Sequence, residues 1–132
     1  MVRILLTICM VLGLSLPVRA QSDQIVGVIT SQIEAFQQND LERAFSFASP
    51  SIKGMFGSPE RFGVMVERGY PMVWRPSDVQ FGALRSFDGR NVQIVFFTDQ
   101  LGKVFEASYE MIETDKGWQI NGVTLKEAGL GA

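Results

Sequence analysis

The sequence has no histidine, and its one cysteine, Cys9, lies within an N-terminal apolar run. Without histidine the chain cannot build a Ser-His-Asp or Cys-His nucleophile, and it lacks the side chain that most readily exchanges protons near neutral pH. Ordinary zinc sites use cysteine and histidine and are excluded as well. Neither a P-loop nor a GxGxxG motif occurs. We therefore expect no cofactor and no metal.

An excess of basic residues is also lacking. The chain has 12 Lys and Arg against 14 Asp and Glu, a formal net charge of -2. Proteins that bind nucleic acid carry a basic patch or stripe that neutralises phosphates. A mildly acidic chain with scattered basic residues is thus not expected to have a nucleic-acid partner.

Residues 1–20 have the layout of a secretory signal peptide. Arg3 supplies a basic start, Ile4 to Leu16 form an apolar run of thirteen residues, and Ala20 is the small residue before the predicted cut. A membrane-spanning helix needs about 20 apolar residues, so an uncleaved anchor is the weaker alternative. Cleavage leaves one domain, residues 21–132, with 10 basic and 14 acidic residues. This chain would be periplasmic or secreted, and free of the membrane.

Helical signals fill the first half of that domain. Apolar residues at helical spacing predict a helix over Gln21–Gln38, and Asp40 is placed to cap a second, shorter one. The stretch FASPSIKGMFGSPERF then holds two Ser-Pro pairs. Serine accepts hydrogen bonds from the first turn of a helix, and proline suits the first helical position. Ser49 and Ser58 are therefore predicted to cap short helices, which run from Pro50 to Phe56 and from Pro59 to about Gly69.

After Tyr70 the pattern changes to the alternation that is typical of strands. Asp88-Gly89 is a strong hairpin signal, and a shift of inward parity at Asn121-Gly122 predicts a bulge. Helices followed by an antiparallel meander predict an α+β fold. The predicted strands are Met72–Trp74, Val79–Ala83, Asn91–Thr98, Lys103–Glu113 and Trp118–Lys126.

The strand Asn91–Thr98 is apolar on both faces. Val92 and Ile94 share one face with the predicted core, which leaves Val95 and Phe97 on the outer face. Exposed apolar side chains mark interaction surfaces when they are contiguous. Val95 and Phe97 are therefore predicted to form a homodimer interface through the sheet.

Three ordered patterns resemble a known family: IxxQIxAFQQNDLERAFSFASP, SPERFxxMVERGYPMV and DKGWQINGV. Over Ile25 to Lys126 the chain is similar to the bacterial family called domain of unknown function 4864, within the NTF2-like, or cystatin-like, superfamily. The resemblance implies a cone in which the N-terminal helices pack on a curved antiparallel sheet. It also implies a cavity between them and dimers through the sheet. It brings no catalytic residue.

The implied cavity would be lined by large apolar side chains, and an open pocket would bind a small apolar ligand or a protein partner. The alternative is that these residues fill the core completely, because a small domain has little core to spare. The predicted lining residues are Phe36, Phe45, Phe62, Met65, Trp74, Tyr109, Met111 and Trp118.

Two other functions stay open. Enzymes of the steroid-isomerase type on this scaffold use an Asp base with tyrosine and a protonated Asp. Here only Tyr70 and Tyr109 are available, and Tyr109 is the one that falls on an inward position. The acids fall at turns or on outward positions, so no catalytic residue is assigned. The expected function is a non-catalytic binding module; the alternatives are a small isomerase or hydrolase using Asp, Glu or Tyr, and a structural homodimer.

Overall fold

The computed structural model describes residues 18–129, in which five helices precede four strands. Of the predicted signal segment, residues 1–17 lie outside the described range, and Val18 to Ala20 begin the first helix. Within the described range, no helix is both long enough and apolar enough to cross a bilayer. The elements are α1 Val18–Gln37, α2 Leu41–Ser46, α3 Pro50–Phe56, α4 Pro59–Gly69, α5 Pro71–Trp74, β1 Asp78–Phe87, β2 Arg90–Thr98, β3 Val104–Thr114 and β4 Gly117–Glu127.

One stripe of α1 enters the core. Ile25, Ile29, Ile33 and Phe36 are each at most 5% exposed. Their spacing of three or four residues places them on one side of the helix, as the periodicity predicted. The helix ends at Gln37, and α2 begins after Asp40, whose Oδ1 accepts a hydrogen bond from the Arg43 N–H at 3.2 Å.

Both Ser-Pro predictions are confirmed. Ser49 Oγ accepts from the Ile52 N–H at 3.3 Å, and Ser58 Oγ accepts from the Arg61 N–H at 3.2 Å. Between these caps, α3 ends at Gly57, whose φ of 78° is readily available only to glycine. The two pairs therefore divide the helical region into short segments that change direction sharply.

The prediction of a strand at Met72–Trp74 is wrong, because this segment is the helical turn α5. Pro71 occupies its first position, and the Tyr70 carbonyl accepts from the Val73 N–H at 2.9 Å and the Trp74 N–H at 3.0 Å. Met72 and Val73 are both buried. A run of three apolar residues fits a strand and a helical turn equally well, so periodicity could not separate them.

The four strands form an antiparallel sheet in the order β1-β2-β3-β4, which confirms the α+β prediction. Asp88 and Gly89 join β1 to β2 with φ values of 49° and 71°. Two positive φ angles are the mark of the tight turn that Asp-Gly favours. The predicted bulge is also present, since Glu110 pairs with Gly122 while Met111 pairs with Ile120.

The helices cover one face of the sheet, and this inner face carries Val95 and Phe97, both 0% exposed. The prediction that these residues lie on the outer face is therefore wrong, and neither is available to a dimer interface. Register explains the correction: Val95 pairs with Ala107, which belongs to the same buried cluster. The outer face carries Ile94 and Phe96. Because both faces of β2 are apolar, alternation alone could not decide which of them meets the helices.

Candidate functional site

A cavity of about 330 Å³ lies between the helices and the inner face of β3 and β4. Its floor consists of buried side chains, among them Phe36, Phe62 and Tyr109, and its rim consists of half-buried or exposed ones on α3 and α4. Ligand pockets are typically about 300–1,000 Å³ and mostly apolar, so this cavity is at the small end. The lining residues are Gln32, Phe36, Ala48, Ile52, Met55, Phe56, Phe62, Met65, Val66, Tyr70, Val73, Tyr109, Ile120, Asn121, Gly122 and Val123.

Of the eight predicted lining residues, four border this cavity: Phe36, Phe62, Met65 and Tyr109. The other four pack behind its wall and belong to the core or lie against it: Phe45, Trp74, Met111 and Trp118.

The aromatic wall of the cavity is a connected cluster. The Phe62 ring centroid lies 5.8 Å from that of Phe36, 5.4 Å from that of Phe45 and 5.7 Å from that of Phe56. Trp74 packs on the far side of Phe36 at 5.5 Å. Tilted rings at these separations stabilise one another beyond their burial. The cluster holds Phe36 and Phe62 against the cavity, while Phe45 and Trp74 support them from outside it.

Two of the polar residues in the lining are bonded to the protein itself. Gln32 Nε2 donates to the Ala44 carbonyl at 3.0 Å. Asn121 Oδ1 accepts from Ser49 Oγ at 2.8 Å, and its Nδ2 donates to Glu110 Oε1 at 3.5 Å. Ser49 therefore both caps α3 and ties that helix to the bulge in β4. Sequence reasoning missed Gln32 and Asn121 as lining residues, because neither stands out from its neighbours in polarity or spacing.

Tyr109 differs from these residues. It is 0% exposed, it borders the cavity, and its hydroxyl has no hydrogen-bond partner among the described residues. Its ring packs 6.2 Å from that of Phe97. Burial, together with the nearby Tyr70, raises the pKa of Tyr109 above its ordinary range. The hydroxyl is therefore protonated at neutral pH, and Tyr109 contributes an enclosed hydrogen-bond donor to the wall of the cavity.

Gln93 is a second buried polar residue that sequence reasoning missed. Its Nε2 donates to the carbonyls of Gly82 and Ile94, each at 2.9 Å, where the register of β1 against β2 is interrupted. Its Oε1 has no partner among residues 18–129. Gln93 pairs with Tyr109 across the sheet but does not line the cavity. The signal that would have found it is a lone amide within the apolar strand NVQIVFFT.

Among the described residues, no charged side chain borders the cavity. Its lining contains no Asp, Glu, Lys or Arg. Arg75, near Phe36, donates instead to the Phe36 and Trp74 carbonyls at 2.8 and 2.7 Å. Nor do three or more acidic side chains gather as a metal site anywhere in residues 18–129. The cavity therefore offers apolar surface and two tyrosines, Tyr70 and Tyr109, rather than a charged acid, base or metal-binding group.

The rim is formed largely by α3, which contains no fully buried residue. Met55 borders the cavity and is 72% exposed, while Ile52 and Phe56 are half-buried. The start of this helix is anchored where Ser49 N–H donates to the Ile120 carbonyl at 2.8 Å. The cavity thus opens to solvent beside a short helix whose start is bonded to β4 and whose last residue, Phe56, packs on Phe62.

A second concavity of about 420 Å³ lies on the outer face of the sheet, between Phe96, Val104 and the C-terminal residues Ala128 and Gly129. It is larger by volume, but all of its lining residues are exposed or half-buried. No unpartnered buried polar group points to a ligand there. The inner cavity is therefore the better candidate site.

Comparison with known proteins identifies one family. A family model described as domain of unknown function (DUF4864) matches residues 18–130. No curated protein matches the chain.

Proposed function

The chain belongs to the DUF4864 family, and on that premise we propose that it is a non-catalytic module that binds one small apolar ligand in the inner cavity. The supporting observation is the cavity itself, which is about 330 Å³, predominantly apolar and open at the rim. A completely filled core would leave no such space. Binding is favoured over turnover because none of the carboxylates within residues 18–129 borders the cavity, where it could act as a general base.

We also propose a wider placement within the NTF2-like superfamily. The support is the arrangement of N-terminal helices on one face of an antiparallel meander, with a cavity between the two layers. A fold of this kind hosts unrelated functions, so the placement supports where a ligand binds and not what it is.

Export is part of the proposal. Cleavage after Ala20 would remove only the first three residues of α1, and Val18 among them is 75% exposed. The loss therefore leaves the buried stripe of that helix intact. Intact mass spectrometry of the protein from a periplasmic or culture-medium fraction tests this, with the mass of residues 21–132 as the expected result. Full-length protein confined to the cytoplasm or the membrane would contradict it.

A protein partner is the second candidate, and the outer sheet face supports it. Phe96 is half-buried on that face beside Ile94, which is only 8% exposed, and a Cβ added at Gly82 would come within 3.0 and 3.2 Å of these two side chains. If a homodimer forms, this face and not Val95 and Phe97 provides the contact. Light scattering tests this, with a dimeric wild type and a monomeric Phe96→Asp as the expected result. A wild type that is monomeric at high concentration would exclude the dimer.

Ligand binding is tested with N-phenyl-1-naphthylamine, a neutral apolar dye whose fluorescence rises in apolar surroundings. The wild type is expected to bind it, and Met65→Trp, which adds bulk at the cavity rim, is expected to weaken binding about tenfold. Val64→Trp is the matched control, because Val64 is 45% exposed on the same helix and does not border the cavity.

Two results would contradict the proposed site. The first is a wild type that does not enhance the dye fluorescence at all. The second is equal weakening by Met65→Trp and Val64→Trp, which would place the dye elsewhere or indicate a general effect on folding.

A further inference from the structure

The Tyr109 hydroxyl is a buried group of the cavity wall that makes no hydrogen bond within the described residues. Within residues 18–129, only Gln93 Oε1 and Tyr109 Oη are buried side-chain polar atoms without a partner, and of these two residues only Tyr109 borders the cavity. Gln32 Nε2 and both polar atoms of the Asn121 amide are already bonded within the fold. A buried hydroxyl that makes no hydrogen bond costs stability, so its persistence needs a reason.

We propose that the ligand of this cavity carries a neutral hydrogen-bond acceptor, such as the carbonyl oxygen of a ketone, ester or amide, and that the Tyr109 hydroxyl donates to it. This inference rests on the proposed function, since it specifies what the apolar ligand must contain. The ligand would lie with its apolar body against Phe36 and Phe62 and its acceptor toward β3.

The acceptor is neutral because the cavity has nothing to pair with a charge. No Lys or Arg is among its lining residues, and the nearby Arg75 is occupied by the Phe36 and Trp74 carbonyls. Burying a carboxylate without a cationic partner is far more costly than burying a carbonyl that receives a hydrogen bond. Fatty acids and aromatic acids are therefore expected to be poor ligands.

The ligand group is an acceptor because a protonated phenol has one O–H to donate. Within the fold, Gln93 Oε1 is an acceptor that could compete with a ligand for the Tyr109 O–H. Gln93 pairs with Tyr109 across the sheet, and its Oε1 also lacks a partner. The two side chains are not hydrogen-bonded to each other. The Tyr109 donor is thus left for whatever enters the cavity.

Three probes of one shape test the inference: 2-acetylnaphthalene, 2-ethylnaphthalene and 2-naphthoate. Their Kd values are measured by displacement of N-phenyl-1-naphthylamine from the wild type, Tyr109→Phe and Ser108→Ala. Ser108→Ala is the matched control, since it removes one hydroxyl from the same strand at a position that alternates to the other face and does not border the cavity.

Tyr109→Phe is expected to weaken the binding of 2-acetylnaphthalene about fivefold relative to that of 2-ethylnaphthalene, the usual net effect of one hydrogen bond. Ser108→Ala is expected to leave the ratio of these two Kd values as it is in the wild type. The infrared carbonyl stretch of the bound ketone should be lower in the wild type than in Tyr109→Phe. The naphthoate should bind more weakly than either neutral probe.

The outcomes separate the two proposals. A ratio of ketone to hydrocarbon Kd values that is the same in the wild type and in Tyr109→Phe would overturn the inference and leave the apolar site standing. An equal loss of ketone binding in Ser108→Ala would also overturn it, because the effect would then not come from the Tyr109 hydroxyl. If neither neutral probe binds the wild type, the proposed function fails and the inference with it. Should Tyr109→Phe not fold, the infrared carbonyl stretch of the ketone bound to the wild type, compared with that of the ketone in an apolar solvent, still decides: an unshifted stretch would overturn the inference.

Discussion

Replacing Tyr109 by phenylalanine is expected to stabilise the ligand-free protein, although most substitutions in a core are destabilising. The change removes one buried hydroxyl and keeps the ring that packs 6.2 Å from Phe97. The hydroxyl has no partner among the described residues, and its residue is 0% exposed. Leaving such a group unbonded costs about 1–3 kcal/mol, so the free energy of unfolding should rise by at least about 1 kcal/mol.

The assay is urea denaturation followed by tryptophan fluorescence, which Trp74 and the buried Trp118 provide. With a slope of about 2 kcal/mol per molar urea, a gain of about 1 kcal/mol moves the midpoint up by about 0.5 M. Tyr70→Phe is the control, because Tyr70 is half-buried and its hydroxyl is not one of the buried polar atoms that lack a partner among the described residues. Its effect should stay within about 0.5 kcal/mol.

A fall of about 1 kcal/mol in Tyr109→Phe would refute the reasoning. It would mean that the hydroxyl makes a hydrogen bond in solution, either to water or to Gln93 Oε1, and the argument for an acceptor on the ligand would lose its basis. Saturation with 2-acetylnaphthalene gives a second comparison. With the ketone bound, the free energy of unfolding of the wild type should approach or equal that of Tyr109→Phe, because the ketone binds the wild type about fivefold more tightly than the variant.

Three further predictions concern pH, the sheet face and the helix cap. Because burial raises the folded-state pKa of Tyr109, the folded protein keeps this hydroxyl protonated at pH values where the unfolded chain ionises it, so the free energy of unfolding is unaffected below the unfolded pKa of about 10 and falls above it. Wild-type stability should therefore fall by about 1.4 kcal/mol per pH unit more than that of Tyr109→Phe in urea titrations above pH 10, and parallel curves would contradict this. Val95→Asp should lower the free energy of unfolding by about 3 kcal/mol or more, and Phe96→Asp should lower it much less, as measured by thermal denaturation. The reverse order would restore the prediction that Val95 lies on the outer face. In the same assay, Ser49→Ala should lower the free energy of unfolding by about 2 kcal/mol and Ser58→Ala by about 1 kcal/mol, because the Ser49 side chain alone of the two also bonds to the sheet. Equal losses of stability would show that the hydrogen bond from Ser49 to Asn121 adds nothing.

Local rules were enough to predict the boundaries of the short helices and the hairpin. Ser49, Ser58 and Gly57 act through hydrogen bonds and φ angles within a few residues, so their effect is visible in the chain itself. The same holds for Asp88-Gly89, whose two positive φ angles set the turn. The strand predicted at Met72–Trp74 is instead a helical turn that begins at Pro71. The apolar run there is too short to show whether its period is that of a strand or of a helix.

The sheet faces required information from distant residues. Alternation correctly placed Tyr109 inward, because in the middle of β3 the apolar Ala107, Tyr109 and Met111 alternate with the polar Glu106, Ser108 and Glu110. It failed for Val95 and Phe97, because β2 is apolar on both faces and the choice depends on which of them the helices cover. Four of the eight predicted pocket residues border the cavity and four pack in or against the core beside it, a division that depends on tertiary packing and not on residue type.

The amino-acid order alone was therefore sufficient for the α+β class, the caps, the turns and the absence of histidine and cysteine chemistry from the predicted domain. These properties depend on residue type and near neighbours. The tertiary structure decided which face of β2 is buried, that the aromatic side chains leave a cavity, and that the Tyr109 hydroxyl is enclosed without a partner. Each of these depends on contacts between segments far apart in the chain, and a buried donor is unsatisfied only in relation to everything that surrounds it.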